Sequence, residues 1–318
     1  MKAGPLTSVG IGDDAAVVGA PSGSVVAAVD LLLEGRHFRR DWSSAYDIGV
    51  KAAARSLADI AAMGAVNTAL LVALAVPGDL PARWPLELAD GLAAEAARAG
   101  AGIVGGDTAR ADSVLLSVTA LGDLAGRRPV LRSGARPGDV IAVAGPLGRS
   151  AAGLALLSAG VPATSDALAG LVAAHRRPSP PYEAGPEAAA LGATAMIDVS
   201  DGLLADLGHI ADASGVALDL DSSALVTGGP MAEAAVFLRG DNPQSSRTVP
   251  ADSPPPAPLE WVVTGGEDHS LVATFPATAQ LPSRWRVIGQ VLAADGSGQV
   301  VTVDGAAHAG PAGWQHFR

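Results

Sequence analysis

The chain of 318 residues contains no cysteine, which excludes disulfide bonds, thiolate metal sites and a cysteine nucleophile. Aromatic residues make up only 3% of the sequence. No apolar run reaches the length of about 18 residues that a membrane-spanning helix needs, and no signal-peptide pattern is present. We therefore expect a soluble, cytoplasmic protein with no membrane partner.

Basic residues are also scarce. The 21 Lys and Arg residues stand against 32 Asp and Glu residues, and the net charge is −11. A chain this acidic is a poor partner for nucleic acid or an anionic membrane, and it needs cations if it binds phosphates. Its length suggests two domains, and its 49% hydrophobic residues provide a sizeable core.

Hydrophobic periodicity in the first part of the chain predicts a β-α-β-α-β order, which favours an α/β domain. The predicted strands cover residues 24–33, 70–76 and 114–121, and the predicted helices cover 44–63 and 84–99. A segment rich in Arg, Gly and Pro at 127–139 marks the domain junction. The domains are therefore expected at 1–130 and 139–318.

The second half mixes strands with proline-rich stretches. Strands are predicted at 140–144, 216–220, 261–263, 271–275 and 286–291. Residues 175–186 are rich in proline and predicted to be extended, and a polar, proline-rich stretch predicts a flexible insertion near 240–258. A glycine turn at 145–150 opens a helix, but it lacks the Gly-Lys-Ser/Thr ending of a P-loop, and we interpret it as structural.

Residues 196–203 carry the strongest chemical signal. A buried strand runs into Asp198, and Ser200, Asp201 and Gly202 follow before a helix begins. Burying carboxylates is costly unless their charge is cancelled, and no Lys or Arg occurs nearby in sequence, so a metal ion is the nearest sensible partner. Alternatively, Ser200 or Asp201 caps the helix, which explains one carboxylate and not two.

Other carboxylates stand at the ends of elements or on apolar faces. Asp14 follows a glycine turn, and Asp30 interrupts an apolar strand. Asp59 falls on the apolar stripe of a helix, where the alternative is an i,i+4 pair with Arg55. Asp107 follows two glycines that are predicted to form a turn. Oxygen ligands without His or Cys select Mg²⁺ or Mn²⁺, which indicates phosphoryl transfer with metals that bridge a nucleoside triphosphate.

Nine short motifs make the chain resemble the thiamine-monophosphate kinase family, of the aminoimidazole-ribonucleotide-synthetase-like superfamily. They occur in the family's order and span nearly the whole chain. The motifs are Gly-Ile-Gly-Asp-Asp-Ala-Ala (10–16), Glu-Gly-Arg-His-Phe (34–38), Asp-Ile-Ala-Ala-Met-Gly-Ala (59–65), Gly-Gly-Asp-Thr (105–108), Arg-Ser-Gly-Ala-Arg-Pro-Gly-Asp (132–139), His-Arg-Arg-Pro-Ser-Pro (175–180), Ile-Asp-Val-Ser-Asp-Gly-Leu (197–203), Gly-Gly-Glu-Asp (265–268) and Gly-Trp-Gln-His-Phe (313–317).

The resemblance implies an α+β protein of two α/β-type domains. The N-terminal domain would bind ATP and Mg²⁺ and form a homodimer, and the C-terminal domain would complete the site. The implied reaction is ATP-dependent phosphorylation of thiamine monophosphate to thiamine diphosphate. No acid or base side chain is expected, because metals and Arg132 would stabilise the charge.

The resemblance also implies roles for individual residues. Metal ligands would be Asp14, Asp30, Asp59, Asp107, Asp198 and Asp201. ATP would contact Gly106, Asp107, Arg132 and Ser200, and thiamine monophosphate would contact His37, Glu267 and Trp314. By the residues alone, His37 is more often structural, and Arg132 is a solvated linker charge.

A few positions depart from the family pattern. Ala28 and Val29 precede Asp30 where the family often has Ser-Thr, and His269 replaces the usual Tyr. These departures leave an alternative open, a degenerate family member that binds nucleotide or thiamine phosphates without turnover. Retention of all six ligand Asp residues and Arg132 favours the enzyme.

Overall fold

The computed structural model of the protein describes residues 4–12, 15–239, 257–294 and 300–314. Asp14 and residues 240–256 of the predicted insertion lie outside the described residues. No helix in the described ranges is long and apolar enough to cross a membrane.

The described residues before 124 form six strands and two helices. They are β1 (Thr7–Val9), β2 (Val17–Val18), β3 (Val26–Leu33), α1 (Ala45–Ala62), β4 (Val66–Val76), α2 (Arg83–Arg98), β5 (Gly102–Arg110) and β6 (Leu115–Asp123). All five predicted elements of this region are confirmed. Helix α1 begins at a capping box, in which Ser44 and Asp47 each bind the other's backbone N–H.

Seven strands and six helices follow in the part of the chain that the structure describes, with a short 3₁₀ helix at Ser222–Ala224. They are β7 (Asp139–Ala144), α3 (Arg149–Ser158), α4 (Asp166–Arg176), α5 (Ala184–Ala190), β8 (Ala195–Asp198), α6 (Leu203–Ser214), β9 (Val216–Leu220), α7 (Pro230–Leu238), α8 (Pro258–Thr264), β10 (Leu271–Pro276), β11 (Trp285–Ala293), β12 (Val301–Val303) and β13 (Ala306–Ala307).

The chain divides into two compact units. The first unit comprises Met1–Val130 and Pro180–Ala190, and the second comprises Leu131–Ser179 and Leu191–Arg318. The segment Pro180–Ala190 therefore packs with the first unit, although it follows the predicted junction in sequence. With helices and mixed sheets in both units, the predicted α+β class is confirmed.

The first unit is built on a four-stranded sheet with two unlike faces. Its strand order is β3-β6-β4-β5, and only β4 and β5 run parallel. Side chains alternate between faces along a strand: Leu116, Val118 and Ala120 of β6 are fully buried, whereas Val29 and Leu31 of β3 are 64% and 51% exposed. Ser56 of α1 donates to the Val118 carbonyl at 3.1 Å, so α1 covers the buried face.

The second unit is built on a seven-stranded sheet of order β13-β12-β9-β11-β7-β10-β8. Its only parallel pair is β12 with β9. The apolar residues of β7, β8 and β9 pack with those of α3, α4 and α6–α8 in one buried core. At one edge β8 ends at Asp198, and α6 starts five residues later, as predicted.

Three local predictions are wrong, and two of the errors have a packing reason. Residues 261–263 belong to α8 and not to a strand, because Pro258 occupies the first helical turn and Trp261, Val262 and Val263 all enter the core. The stretch 175–186 is not extended throughout, since α4 runs to Arg176 and α5 begins at Ala184.

The third error concerns Gly105 and Gly106, which lie inside β5 and not in a turn. The pairing of β4 with β5 shifts register between Leu70 and Leu71. A Cβ on Gly106 would collide with the Val72 carbonyl oxygen. These glycines therefore allow β5 to approach β4 closely after the irregularity.

A buried polar cluster fastens the returning segment Pro180–Ala190 to the first unit. The Tyr182 hydroxyl donates to Glu95 Oε1 at 2.7 Å, and Arg98 Nε donates to Glu95 Oε2 at 3.0 Å. The Arg98 guanidinium also lies 4.5 Å from the centre of the Tyr182 ring and donates to the Pro180 carbonyl. Burial, and then Glu95, raise the pKa of Tyr182, so the hydroxyl keeps its proton.

We expect Tyr182→Phe to destabilise the protein by about 1.5–3 kcal/mol, the range for a hydrogen bond to a charged group. The buried Glu95 carboxylate would lose a donor while the ring packing remained. Urea unfolding followed by circular dichroism measures the loss. The control is Tyr46→Phe, because Tyr46 is 37% exposed. Equal stability of the two variants would show that the cluster contributes nothing.

Candidate functional site

The turn between β8 and α6 is held by a carboxylate that follows it in sequence. Asp206 Oδ2 accepts the backbone N–H groups of Ser200, Asp201 and Gly202 at 3.0, 3.1 and 3.0 Å. Gly202 is the N-cap of α6, with φ 132°, and no side chain caps this helix. The interpretation of Ser200 or Asp201 as a helix cap is therefore wrong, because Gly202 occupies the N-cap position and no side chain among the described residues binds the first N–H groups of the helix.

Asp206 was not singled out from the sequence, although an acidic residue in the first turn of a helix is a recognisable signal. Burial, and then the charges of Asp198 and Asp201, raise the pKa of Asp206 to about 8. Its hydrogen bonds to the turn act in the opposite direction. Three carboxylates are therefore close enough at this turn to repel one another.

Two distant segments close on the same turn. The Glu267 N–H donates to the Ser200 carbonyl at 2.8 Å. The Trp314 N–H donates to the Asp201 carbonyl at 2.9 Å. A Cβ on Gly266 would collide with the Ser200 carbonyl oxygen, so only glycine permits this approach. The structure thus brings together five predicted site residues: Asp198, Ser200, Asp201, Glu267 and Trp314.

Asp198 has a partner that its sequence neighbourhood did not reveal. Its Oδ2 lies 3.0 Å from His269 Nδ1, and both side chains are buried. The sequence predicted a metal as the nearest sensible partner, because no Lys or Arg occurs nearby. The structure adds a histidine from the strand connection before β10, 71 residues away in sequence.

The N–H groups of the glycine turn before α3 bind a side chain of the protein itself, Asp268. Asp268 Oδ2 accepts the Gly148 N–H at 2.5 Å, and Oδ1 accepts the Ser150 N–H at 2.8 Å. Burial raises the pKa of Asp268 to about 7, against the effect of these two hydrogen bonds. The structural interpretation of this turn is confirmed, since its N–H groups already have an acceptor.

Two predicted ligands of the first unit lie where β3 faces α1. Asp30 Oδ2 accepts the Ser56 hydroxyl at 2.9 Å, and Asp30 Oδ1 lies 3.7 Å from Arg55 Nη2. Asp30 therefore has a cation, Arg55, close to its carboxylate. Asp59 is half-buried one turn after Arg55 on α1, and its metal role stays a prediction.

Gly106 and Asp107 border a cavity of the first unit. The cavity encloses about 990 Å³ and is lined mainly by apolar residues of β4, β5 and α2. Asp107, Thr108, Ser117 and Thr119 supply polar side chains to its wall. Asp107 itself is exposed and accepts the Thr108 N–H at 2.8 Å, so its carboxylate is accessible to a ligand.

His37 and Arg132 each make a local contact within their own unit. His37 Nδ1 accepts the Leu33 N–H at 3.0 Å, a structural contact that shapes the turn after β3. Arg132 has an exposed side chain, and its carbonyl accepts the hydroxyl of Ser214, the last residue of α6. Arg132 is thus anchored at the end of α6 opposite Asp201. Both ligand roles stay predictions.

Comparison with known proteins places this geometry in a family. The N-terminal domain model of AIR synthase related proteins matches residues 12–124, and the C-terminal domain model matches 136–244. Thiamine-monophosphate kinase of Mycobacterium tuberculosis H37Rv is 49% identical over 309 residues, which are 97% of this chain and 86% of that protein. The chain belongs to the thiamine-monophosphate kinase family.

Solved structures of this kinase family superpose on the chain. Thiamine-monophosphate kinase from Stenotrophomonas maltophilia K279a gives a TM-score of 0.78 at 34% identity, covering 96% of this chain and 93% of that chain. A structure described as AaThiL complexed with AMPPCP and TMP gives 0.79 at 30% identity, covering 96% and 92%. The predicted family resemblance is confirmed.

The turn at 198–202 offers carboxylate oxygens, which are the ligand atoms that Mg²⁺ prefers. Asp198 and Asp201 offer only oxygen, and their charges are close enough to raise the pKa of Asp206. No group of three or more His, Asp or Glu side chains could hold a metal among the residues that the structure describes. Mg²⁺ needs no such cage, because it binds through one or two carboxylates, waters and substrate phosphates.

We expect the chelator-treated protein to lose stability as pH rises from about 4 to about 8. Asp206 and Asp268 hold their protons to pH about 8 and about 7 in the folded protein, against an ordinary value of 3.8. The folded state binds more protons in this window, so raising the pH favours unfolding. Each group contributes up to about 1.4 kcal/mol per pH unit.

Urea unfolding at several pH values tests this expectation. The variant Asp206→Asn should show a shallower fall of the unfolding free energy than the wild type, because its side chain does not ionise. Parallel curves for the two proteins would contradict the assignment of the raised pKa to Asp206.

Proposed function

We propose that the protein transfers the γ-phosphoryl group of ATP to the phosphate of thiamine monophosphate, giving ADP and thiamine diphosphate. The observation that carries this proposal is the turn at 198–202, where Asp198, Ser200, Asp201, Glu267 and Trp314 meet. The identity of 49% over 97% of the chain with a thiamine-monophosphate kinase supports the same reaction. Formation of thiamine diphosphate from ATP, Mg²⁺ and thiamine monophosphate is the direct test.

The reaction needs no catalytic base. The acceptor is a phosphate, whose second pKa is about 6, so its oxygen is largely ionised at neutral pH. Direct in-line attack of this oxygen on the γ-phosphorus breaks the bond to the β-phosphate oxygen, and ADP leaves. The barrier lies in bringing two polyanions together, and positioning and charge neutralisation lower it.

Asp198 and Asp201 would hold Mg²⁺ in the second unit. Asp14, Asp30, Asp59 and Asp107 are the corresponding predictions for the N-terminal domain. The bound ions would supply charge neutralisation at the phosphates. In this chain the carboxylates fix the ions, and the hydrogen bonds from the turn to Asp206 keep Asp201 in place.

The remaining contacts are those that the family resemblance implies, and the exposure of Asp107 and Trp314 supports two of them. Gly106 and Asp107 at the cavity, together with Arg132 and Ser200, would contact ATP. His37, Glu267 and Trp314 would contact thiamine monophosphate. The Trp314 side chain is 60% exposed while its backbone is fixed to Asp201, so its indole offers a ring on which an aromatic substrate can stack.

The protein would act as a cytoplasmic homodimer that pairs through its N-terminal domains. The uncovered face of the four-stranded sheet exposes Val29, Leu31 and Leu71, whereas the opposite face is buried. A sheet face of this kind is apolar surface that a second copy can cover. Cytoplasmic localisation stays a prediction from the sequence.

We expect Asp198→Asn and Asp201→Asn each to lower turnover by at least about two orders of magnitude, as loss of one electrostatic stabiliser does. Folding in chelator should be retained, because Asn keeps the size and the repulsion around Asp206 falls. Steady-state assays and thermal unfolding measure both effects. The control is Asp212→Asn, an exposed carboxylate of α6.

A stable Asp198→Asn variant with near-normal turnover would refute the metal role. The same assay separates the enzyme from a degenerate family member. Calorimetric binding of ATP or thiamine monophosphate without any thiamine diphosphate formation by the wild type would establish the second function.

We expect Leu31→Glu to convert the dimer into a monomer, because a buried unpaired charge would destabilise the interface. Size-exclusion chromatography with light scattering measures the mass. Leu86→Glu is the matched control, since Leu86 is 66% exposed on α2. A Leu31→Glu dimer as tight as the wild type would place the interface elsewhere.

A further inference from the structure

Asp198 and His269 form a buried pair, and the reaction described above gives His269 no role. The exposed fraction of the side chain is 7% for Asp198 and 3% for His269. His269 Nδ1 lies 3.0 Å from Asp198 Oδ2. Its other ring nitrogen, Nε2, is buried and has no hydrogen-bond partner in the part of the chain that the structure describes.

The backbone aims the imidazole at Asp198. The His269 N–H donates to the Val199 carbonyl at 2.9 Å, and the Val199 N–H donates to the Ser270 carbonyl at 2.8 Å. His269 has φ 52°, a left-handed conformation that non-glycine residues rarely adopt. A residue kept in such a conformation is held there by its surroundings, and such positions concentrate at functional sites.

The hydrogen positions follow from the two partners. A carboxylate only accepts hydrogen bonds, so Nδ1 must carry the hydrogen in the contact with Asp198. A hydrogen on Nε2 would be a buried donor without an acceptor among the described residues, which is unfavourable. The favoured form has its hydrogen on Nδ1 alone, so His269 acts as a fixed donor to one carboxylate oxygen.

We propose that His269 is a positioning residue that fixes the Asp198 carboxylate for cation binding. The Nδ1–H bond to Oδ2 sets the rotation of the carboxylate and leaves Oδ1 for the cation. Hydrogen bonds to a ligating carboxylate commonly change metal affinity by about 10–100-fold. This inference rests on the proposed metal role of Asp198, and it adds a residue that itself touches neither metal nor substrate.

Two substitutions separate the donor from the backbone conformation. His269→Asn keeps an N–H donor near the position of Nδ1, and Asn tolerates the left-handed region. His269→Gly tolerates that region equally well but removes the donor. The matched control is His209→Asn, because His209 is exposed on α6.

The readout is Mn²⁺ binding, followed by electron paramagnetic resonance with a non-hydrolysable ATP analogue, at a temperature where every variant is folded. We expect His269→Gly to bind Mn²⁺ about 10–100-fold more weakly. We expect His269→Asn and His209→Asn to stay within about threefold of the wild type. In steady state, His269→Gly should require more Mg²⁺ for half-maximal rate, with KM for thiamine monophosphate unchanged at saturating Mg²⁺.

Asp198→Asn distinguishes failure of this inference from failure of the proposed function. Weaker Mn²⁺ binding by Asp198→Asn with unchanged binding by His269→Gly would overturn the role of His269 alone. Wild-type binding by Asp198→Asn would overturn the metal role and this inference with it.

The proposed hydrogen bond can also be tested in the wild type, so the test does not depend on whether His269→Gly folds. Nuclear magnetic resonance of ¹⁵N-labelled imidazoles, with His269 assigned by its loss in His269→Asn, reports which nitrogen carries the hydrogen. We expect a protonated Nδ1 and a bare Nε2 in the metal-free protein. Hydrogen on Nε2 alone would overturn the proposed hydrogen bond.

Discussion

The site in the second unit depends on one carboxylate oxygen that binds three consecutive N–H groups. Asp206 reaches back from the first turn of α6 to the turn at 200–202. Without an acceptor these three N–H groups would be unpaired, and that of Gly202 would be a buried donor. Because Glu267 and Trp314 attach to the carbonyls of the same turn, its shape determines where the other candidate ligands lie.

A second internal carboxylate satisfies a helix N-terminus elsewhere in this unit. Asp268 binds the N–H groups of Gly148 and Ser150 at the start of α3. Helix N-termini often bind phosphate through such N–H groups, but at α3 the protein's own Asp268 already accepts them. In a chain with a net charge of −11, the proposed phosphate recognition would need cations and arginine to neutralise charge.

Strand β3 of the first unit departs from the usual distribution of polar and apolar residues. The side covered by α1 holds Asp30 and Ser56 in a hydrogen bond, and the uncovered side presents Val29 and Leu31. A strand normally turns its apolar residues to the covered face. Both deviations have a reason if Asp30 binds a cation and the uncovered face pairs with a second copy.

Periodicity in the sequence was enough to predict α1, α2, β7 and β9 closely, and motif order was enough to predict the family. Local periodicity predicts an element because the buried side chains of a helix repeat about every 3.6 residues and those of a strand every two. It failed for α8, where three consecutive core residues suit a strand or a helix equally, and for Gly106, whose role depends on the neighbouring strand. Only the tertiary structure showed that Asp206, and not Ser200, binds the N–H groups of the turn. It also showed that His269 contacts Asp198. No spacing in the sequence predicts which of these groups lie close together.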